Sequence, residues 1–201
     1  MIPSVACIII ASAHRREQVM RDIVPGVWAQ DFDDVVLVGD WPAERHAAIA
    51  YRYFCVEPLR HDTIDALVKR DVGTLATTAD ILVYLCDDHR LRLGFRRAIA
   101  DVAREPWDVI VPNRFTRARE GAPLVSLNNG ERDGYCGGHG GVYRRDVITR
   151  KPWSAHAHHR NWDAIISREQ MGRGARFTFS PRDDLSIIDL NPSDPQHGLS
   201  L

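Results

Sequence analysis

Lysine is almost missing from this chain. Lys69 and Lys151 are the only two in 201 residues, and every other strongly basic side chain is an arginine. Guanidinium forks suit phosphates and carboxylates, but the codon bias of a GC-rich genome accounts for the excess more simply. Net charge is also small. The formal value is −1, so no global basic field points to nucleic acid. Cysteine is sparse, and no pair among Cys7, Cys55, Cys86 and Cys136 has metal-finger or redox spacing. The first three lie in apolar runs, where cysteine acts as a small buried hydrophobe, as suits a reducing cytoplasm. The longest N-terminal apolar run, "VACIIIA", is too short to span a bilayer and has no basic segment before it, so membrane insertion is not expected. Nor does any glycine follow that run. The turn "ASAHRRE" has neither the GxGxxG of a dinucleotide fold nor a glycine-rich triphosphate loop, which disfavours both classes.

What is present is an alternation. Apolar, β-branched runs at 5–11, 34–40, 51–56, 80–86 and 107–113 read as buried strands. Between them lie stretches with helical spacing: "REQVMRDIVPGVW", interrupted at Pro25-Gly26; residues 62–79; and "RLGFRRAIADVARE". The pattern predicts an α/β protein whose mainly parallel sheet is covered by helices on both faces. Such sheets bind ligands beyond the carboxyl ends of their strands. After residue 113 the chain turns polar and glycine-rich, in "RFTRAREGAPLVSLNNGERDGYCGGHGG", before a helix at "NWDAIISREQMGRG" and late strands at "ARFTFSP" and "LSIIDL". No linker or repeat divides the chain. It reads as one domain, with a first half of about 1–113 and a second of about 114–201.

The fourth apolar run ends in Asp87-Asp88-His89. If the chain stays extended there, Asp87 and His89 point to one side and Asp88 to the other. One carboxylate and one imidazole on the same side suit a divalent cation such as Mn²⁺ or Mg²⁺. The open positions would take a diphosphate, whose developing charge the cation would neutralise. The alternative is a polar strand end, with Asp88 capping a helix that starts near Arg90.

Taken in order, these segments resemble the family 2 type of nucleotide-sugar glycosyltransferase with the GT-A fold. The first strand runs into "IIIASAHRR", the second ends in "VVLVGD", an RNxG-like segment stands as "KRDVGT", and "CDDH" takes the place of the DxD motif as a DxH variant. The resemblance implies a GT-A (Rossmann-like) sheet and a UDP-sugar as donor. It implies that Ser12, His14, Arg15 and Asp40 hold the nucleoside. Asp71 stands where the family has Asn, and Asp88 joins the diphosphate contacts. It also implies a donor loop at Gly138, His139 and Gly140, and a metal held by Asp87, His89 and a C-terminal His197, with His favouring Mn²⁺ over Mg²⁺. Asp163 in "NWDAIISR" stands where inverting members keep their general base, although Trp162 occupies the place of the usual Glu.

Three further clusters have a plain reading and a functional one. His156, His158 and His159 read as a solvated loop or an acceptor contact. "RKPW" at 150–153 is similar to a diphosphate-contacting motif of retaining family 8 enzymes, though its surroundings do not match. Arg114, Arg117 and Arg119 beside Phe115 read as exposed arginines or a patch for a phosphorylated acceptor. With no membrane-facing helix, a soluble acceptor is expected, a hydroxymethylated base in phage DNA being one compatible example. A nucleotidylyltransferase, or a non-catalytic nucleotide-sugar-binding protein on the same scaffold, are the competing readings.

Overall fold

The computed structural model describes residues 3–42, 51–57, 62–103, 106–116, 125–126, 140–156, 162–180 and 182–190. Strands β1 (Val5–Ile10), β2 (Asp34–Gly39), β3 (Arg52–Cys55) and β4 (Ile81–Cys86) pair in parallel, in the order β4-β1-β2-β3. All six residues of β1 and the first five of β4 are buried. That is the burial expected of central strands covered on both faces, and it explains their unbroken apolar runs.

The two faces feed two separate cores. Cys7, Ile9, Leu37, Val83 and Leu85 pack against Val19, Ile23, Val27, Phe95 and Ile99. After a short α1 (Arg16–Gln18) that buries nothing, those partners come from a π turn at Val19–Ile23, α2 (Val24–Trp28) and the later helix described below. Ala6, Ile8, Ile10, Leu82 and Tyr84 face the other way, toward Leu67 of α3 (Asp62–Ala76), Ile148, Trp153 and Ile166. Gly73 of α3 lets the helix lie directly on β1, because a Cβ there would run into Cγ2 of Ile8.

Two local expectations give way. The first helical segment is not broken at Pro25-Gly26. Pro25 lies in the first turn of α2, just after the π turn, where its missing N–H is tolerated. No helix starts near Arg90 either. His89–Leu91 form a short strand, β5, and the helix α4 spans Phe95–Val102 behind a left-handed Gly94 (φ 90°).

The fifth apolar run becomes β6 (Val109–Val111), followed by β7 (Asn113–Thr116) and β8 (Val125–Ser126). β6 does not pair with β4. β9 (Gly140–Arg144) inserts between them, antiparallel to both. It leads into α5 (Arg145–Thr149), a 3₁₀ turn at Trp153–His156, and α6 (Trp162–Gly172). β10 (Phe177–Phe179) joins β6 to give a seven-stranded sheet ordered β10-β6-β9-β4-β1-β2-β3. β11 (Ser186–Asp189) centres a smaller sheet, β5-β11-β7-β8. Arg145 ties α3 to this frame. Its guanidinium donates to the carbonyls of Ala79, Thr74 and Thr77 at 2.7, 3.1 and 2.7 Å, taking up acceptors around the helix's carboxyl end.

Candidate functional site

Parallel pairing brings three loop starts to one edge. Ile10 is in register with both Val38 and Cys86. The residues that follow these strands therefore emerge side by side: Ser12 to Arg15 after β1, Asp40 after β2, and Asp87 to His89 after β4. Ser12 donates its backbone N–H to Asp87 Oδ2 at 2.8 Å, and Arg15 Nε stands 3.8 Å from Asp87 Oδ1. His14 is exposed on the 3₁₀ turn Ala13–Arg15. Burial pushes the Asp87 carboxyl above its ordinary value, and the adjacent Asp88 adds to this. The Ser12 N–H and Arg15 oppose it.

Residues 87 and 88 form a turn, so the extended-chain expectation of Asp87 and His89 on one side does not hold. The turn brings Asp88 Oδ1 against His89 Nδ1 instead. His89 lies fully buried on β5, opposite Asp189 of β11. Leu190 donates its N–H to the Asp88 carbonyl at 2.7 Å, which pins the turn to the end of β11. Cys86 closes the group: one potential ligand atom each from Cys86, Asp88 and His89 lie within 4.8 Å of one another. Burial pushes the Cys86 thiol up to about 11. Thiolate, carboxylate and imidazole form a donor set that fits a divalent transition metal.

Asp40 has a partner that the sequence reading passed over. Lys69 of α3 is buried, and its Nζ reaches Asp40 Oδ2 at 3.1 Å, the Ala11 carbonyl at 2.9 Å and Asp65 Oδ2. One ammonium thus holds two carboxylates and the end of β1. Its signal was present: one of two lysines in the chain, four residues after an Asp, inside a stretch with helical spacing.

The next two residues of α3 face the second half of the chain. Asp71 accepts the N–H groups of Trp153 at 2.7 Å and Ser154 at 2.9 Å, so both of its oxygens hold the 3₁₀ turn. Arg70 is buried among aromatic rings, 5.1 Å from the centroids of Trp153 and Trp162 and 5.2 Å from that of Tyr84. It also donates to Cys86 Sγ at 3.7 Å. Cation–π contacts of this desolvated kind are each worth about 2 kcal/mol. Through Arg70, the end of β4 is joined to Trp162, which opens α6. Asp163 follows it, with Oδ1 accepting the Ala164 N–H at 2.8 Å.

Gly140 lies opposite Leu85, so the glycine-rich segment enters the sheet one residue from Cys86. Gly138 and His139 lie outside the described residues, as do His197, His158, His159, Arg117 and Arg119. Of the remaining clusters, Lys151 pairs with Glu169 at 3.0 Å, and His156 is buried 3.7 Å from the same carboxylate. Arg114 pairs with Asp189 at 2.8 Å, and Asp184 with Arg182 at 2.7 Å.

No family model matches the chain, and no curated protein matches it. Solved structures do. A mannosyltransferase from Pyrobaculum calidifontis, in complex with GDP-mannose and Mn²⁺, superposes with a TM-score of 0.66 at 14% identity, over 98% of this chain and 59% of its own. S. aureus TarS gives 0.67 at 13% identity, over 94% of this chain and 37% of its own. Residues 1–349 of TarS in complex with UDP give 0.65 at 13%, over 91% and 59%. The fold is the one these glycosyltransferases share. The chain spans between about two fifths and three fifths of their length. Among the described residues, no helix is long and apolar enough to cross a membrane.

Proposed function

We propose that this chain is a metal-dependent glycosyltransferase that moves a sugar from a nucleotide-sugar to an acceptor hydroxyl. One observation carries the reading: on a sheet with a glycosyltransferase fold, the turn after β1 is bonded to the acidic turn after β4, at the edge where such sheets bind ligands. The donor in this reading is a UDP-sugar. Ser12, His14 and Arg15 hold the nucleoside with Asp40, which Lys69 fixes in place. The turn Asp87–Asp88–His89 carries Mn²⁺ or Mg²⁺, with His197 as a further ligand. Gly138, His139 and Gly140 flank the sugar. Asp71 acts through the turn it holds at Trp153 and Ser154.

The bound cation would supply charge neutralisation for the departing diphosphate. The protein's own residues do the rest. Asp163 accepts the proton of the acceptor hydroxyl. The acceptor oxygen then bonds to the anomeric carbon as the bond from that carbon to the diphosphate breaks, and the nucleoside diphosphate leaves with the electron pair. Attack opposite the leaving group inverts the anomeric centre. A soluble acceptor suits the reading, and a hydroxymethylated pyrimidine of phage DNA is the first to assay.

Thermal shift with Mn²⁺ and a panel of nucleotides tests the donor class, because a ligand of the native state raises its midpoint. A rise with UDP above that with GDP, ADP or CMP supports the reading. No rise with any nucleotide contradicts it. Trp162 in the place of the usual Glu favours a second reading, a nucleotide-sugar-binding protein without turnover. Binding of UDP with no transfer to any acceptor would select it.

A further inference from the structure

We infer that Cys86 is a metal ligand, and that Cys86, Asp88 and His89 form a sulfur-containing cation site that ranks Co²⁺, Zn²⁺ and Cd²⁺ above Mn²⁺ and Mg²⁺. The inference deepens the proposed metal-dependent reading and rests on it for the purpose of the site, though not for its existence. The three donors converge from separate supports. Cys86 ends β4, in register with Ile10 of β1. His89 is fixed on β5 by its pairing with Asp189. Asp88 sits on the turn between them, its carbonyl held by the Leu190 N–H at 2.7 Å. One candidate ligand atom from each lies within 4.8 Å of the other two.

That spacing is close to what a metal requires. Metal–sulfur bonds of about 2.3 Å and metal–nitrogen or –oxygen bonds of about 2.0–2.2 Å place tetrahedral ligand atoms roughly 3.3–3.8 Å apart. Asp88 Oδ1 already rests against His89 Nδ1, so the two would part slightly to share one ion. Three protein ligands leave a fourth position open, the arrangement of catalytic rather than structural sites. Cys86 binds as the thiolate and its proton passes to solvent. Burial opposes the thiolate until a metal displaces the proton, while Arg70, donating to Cys86 Sγ at 3.7 Å, favours it. Sulfur is also what sets the preference, since thiolates select softer metals while Mg²⁺ takes oxygen.

The test is a Co²⁺ titration of the chelator-treated full chain, followed by absorbance, with no nucleotide present. The expected result is one equivalent bound with a thiolate-to-cobalt charge-transfer band in the near ultraviolet. The band should survive excess Mg²⁺ and collapse with Cd²⁺. Cys86→Ser should abolish the band and weaken Co²⁺ binding at least tenfold, while Cys55→Ser leaves both unchanged. Circular dichroism checks the folding of each variant. Asp88→Asn, at the more exposed turn position, should weaken binding similarly and serves if Cys86→Ser does not fold. No Co²⁺ binding, Co²⁺ bound without the band, or a band that persists in Cys86→Ser overturns the inference. The two readings separate cleanly. A band with no nucleotide-sugar binding leaves this site standing and sinks the transferase. Mn²⁺-dependent transfer that is unchanged in Cys86→Ser, without a band, does the reverse.

Discussion

Ser12 and Asp87, 75 residues apart in sequence, are joined by a 2.8 Å hydrogen bond from the Ser12 N–H to Asp87 Oδ2. The bond closes the turn after β1 onto the turn after β4. Asp87→Ala should therefore loosen the turn after β1 as well as remove a charge. The expected outcome is a smaller midpoint rise with UDP than in wild type, with the unliganded midpoint much less affected. An unchanged UDP response would remove Asp87 from the site.

Lys69 is a structural prediction as much as a functional one. Its ammonium is the shared partner of the Asp40 and Asp65 carboxylates, with all three side chains largely out of water. Taking away one partner of a buried ion pair leaves uncompensated charge and costs about 3–5 kcal/mol. Lys69→Met should lose stability of that order in urea unfolding. Adding Asp40→Asn and Asp65→Asn should restore much of it, and a triple variant no better than Lys69→Met would show that the cluster is not coupled.

Gly73 makes a test of packing alone. A Cβ at this position meets Cγ2 of Ile8. Gly73→Ala should destabilise by about 1–3 kcal/mol through overpacking, although alanine is the better helix former by about 1 kcal/mol. Ile8→Ala removes the obstructing carbon, so the double variant should cost less than the two single changes added together. Strict additivity would place the strain elsewhere.

Asp108 anchors β6 to the approach of β10. It accepts the backbone N–H of Arg176 at 2.8 Å and its guanidinium at 3.0 and 3.2 Å. The Arg176 contacts hold the Asp108 carboxyl below its ordinary value. A depressed carboxylate contributes stability above its unfolded value of about 3.9, and that stability fades as pH falls through the lower folded value. Asp108→Asn should lower the midpoint at neutral pH and flatten its fall on acidification. A parallel acid limb in the variant would contradict this.

The sequence carried the sheet and missed its neighbours. "VACIII", "DVVLVG" and "ILVYLC" are legible because a strand buried on both faces needs an unbroken apolar run, and those three runs are the three central parallel strands. Carboxyl-edge placement of Asp40 and Asp87 followed from that alone. The insertion of β9 between β4 and β6 was not legible, since the order of strands in a sheet depends on long-range pairing and not on local pattern. His89 was misplaced for a related reason. Alternation holds only while the chain stays extended, and a turn at Asp87–Asp88 resets it, turning His89 toward Asp88 and Cys86. Cys86 itself read as a buried hydrophobe because its strand is apolar up to that residue. Lys69 and Arg70 stood in plain view as "KR" within α3, but only the fold brings Asp40 to one and three aromatic rings to the other.

The most direct test of the proposed function is release of nucleoside diphosphate from a UDP-sugar, measured with and without Mn²⁺ on wild type and on Asp88→Ala. The account expects release in wild type that falls at least tenfold when the metal is chelated, and a comparable fall in the variant with Mn²⁺ present. Release that ignores both the metal and the substitution, or no release from any nucleotide-sugar under any of these conditions, would contradict it.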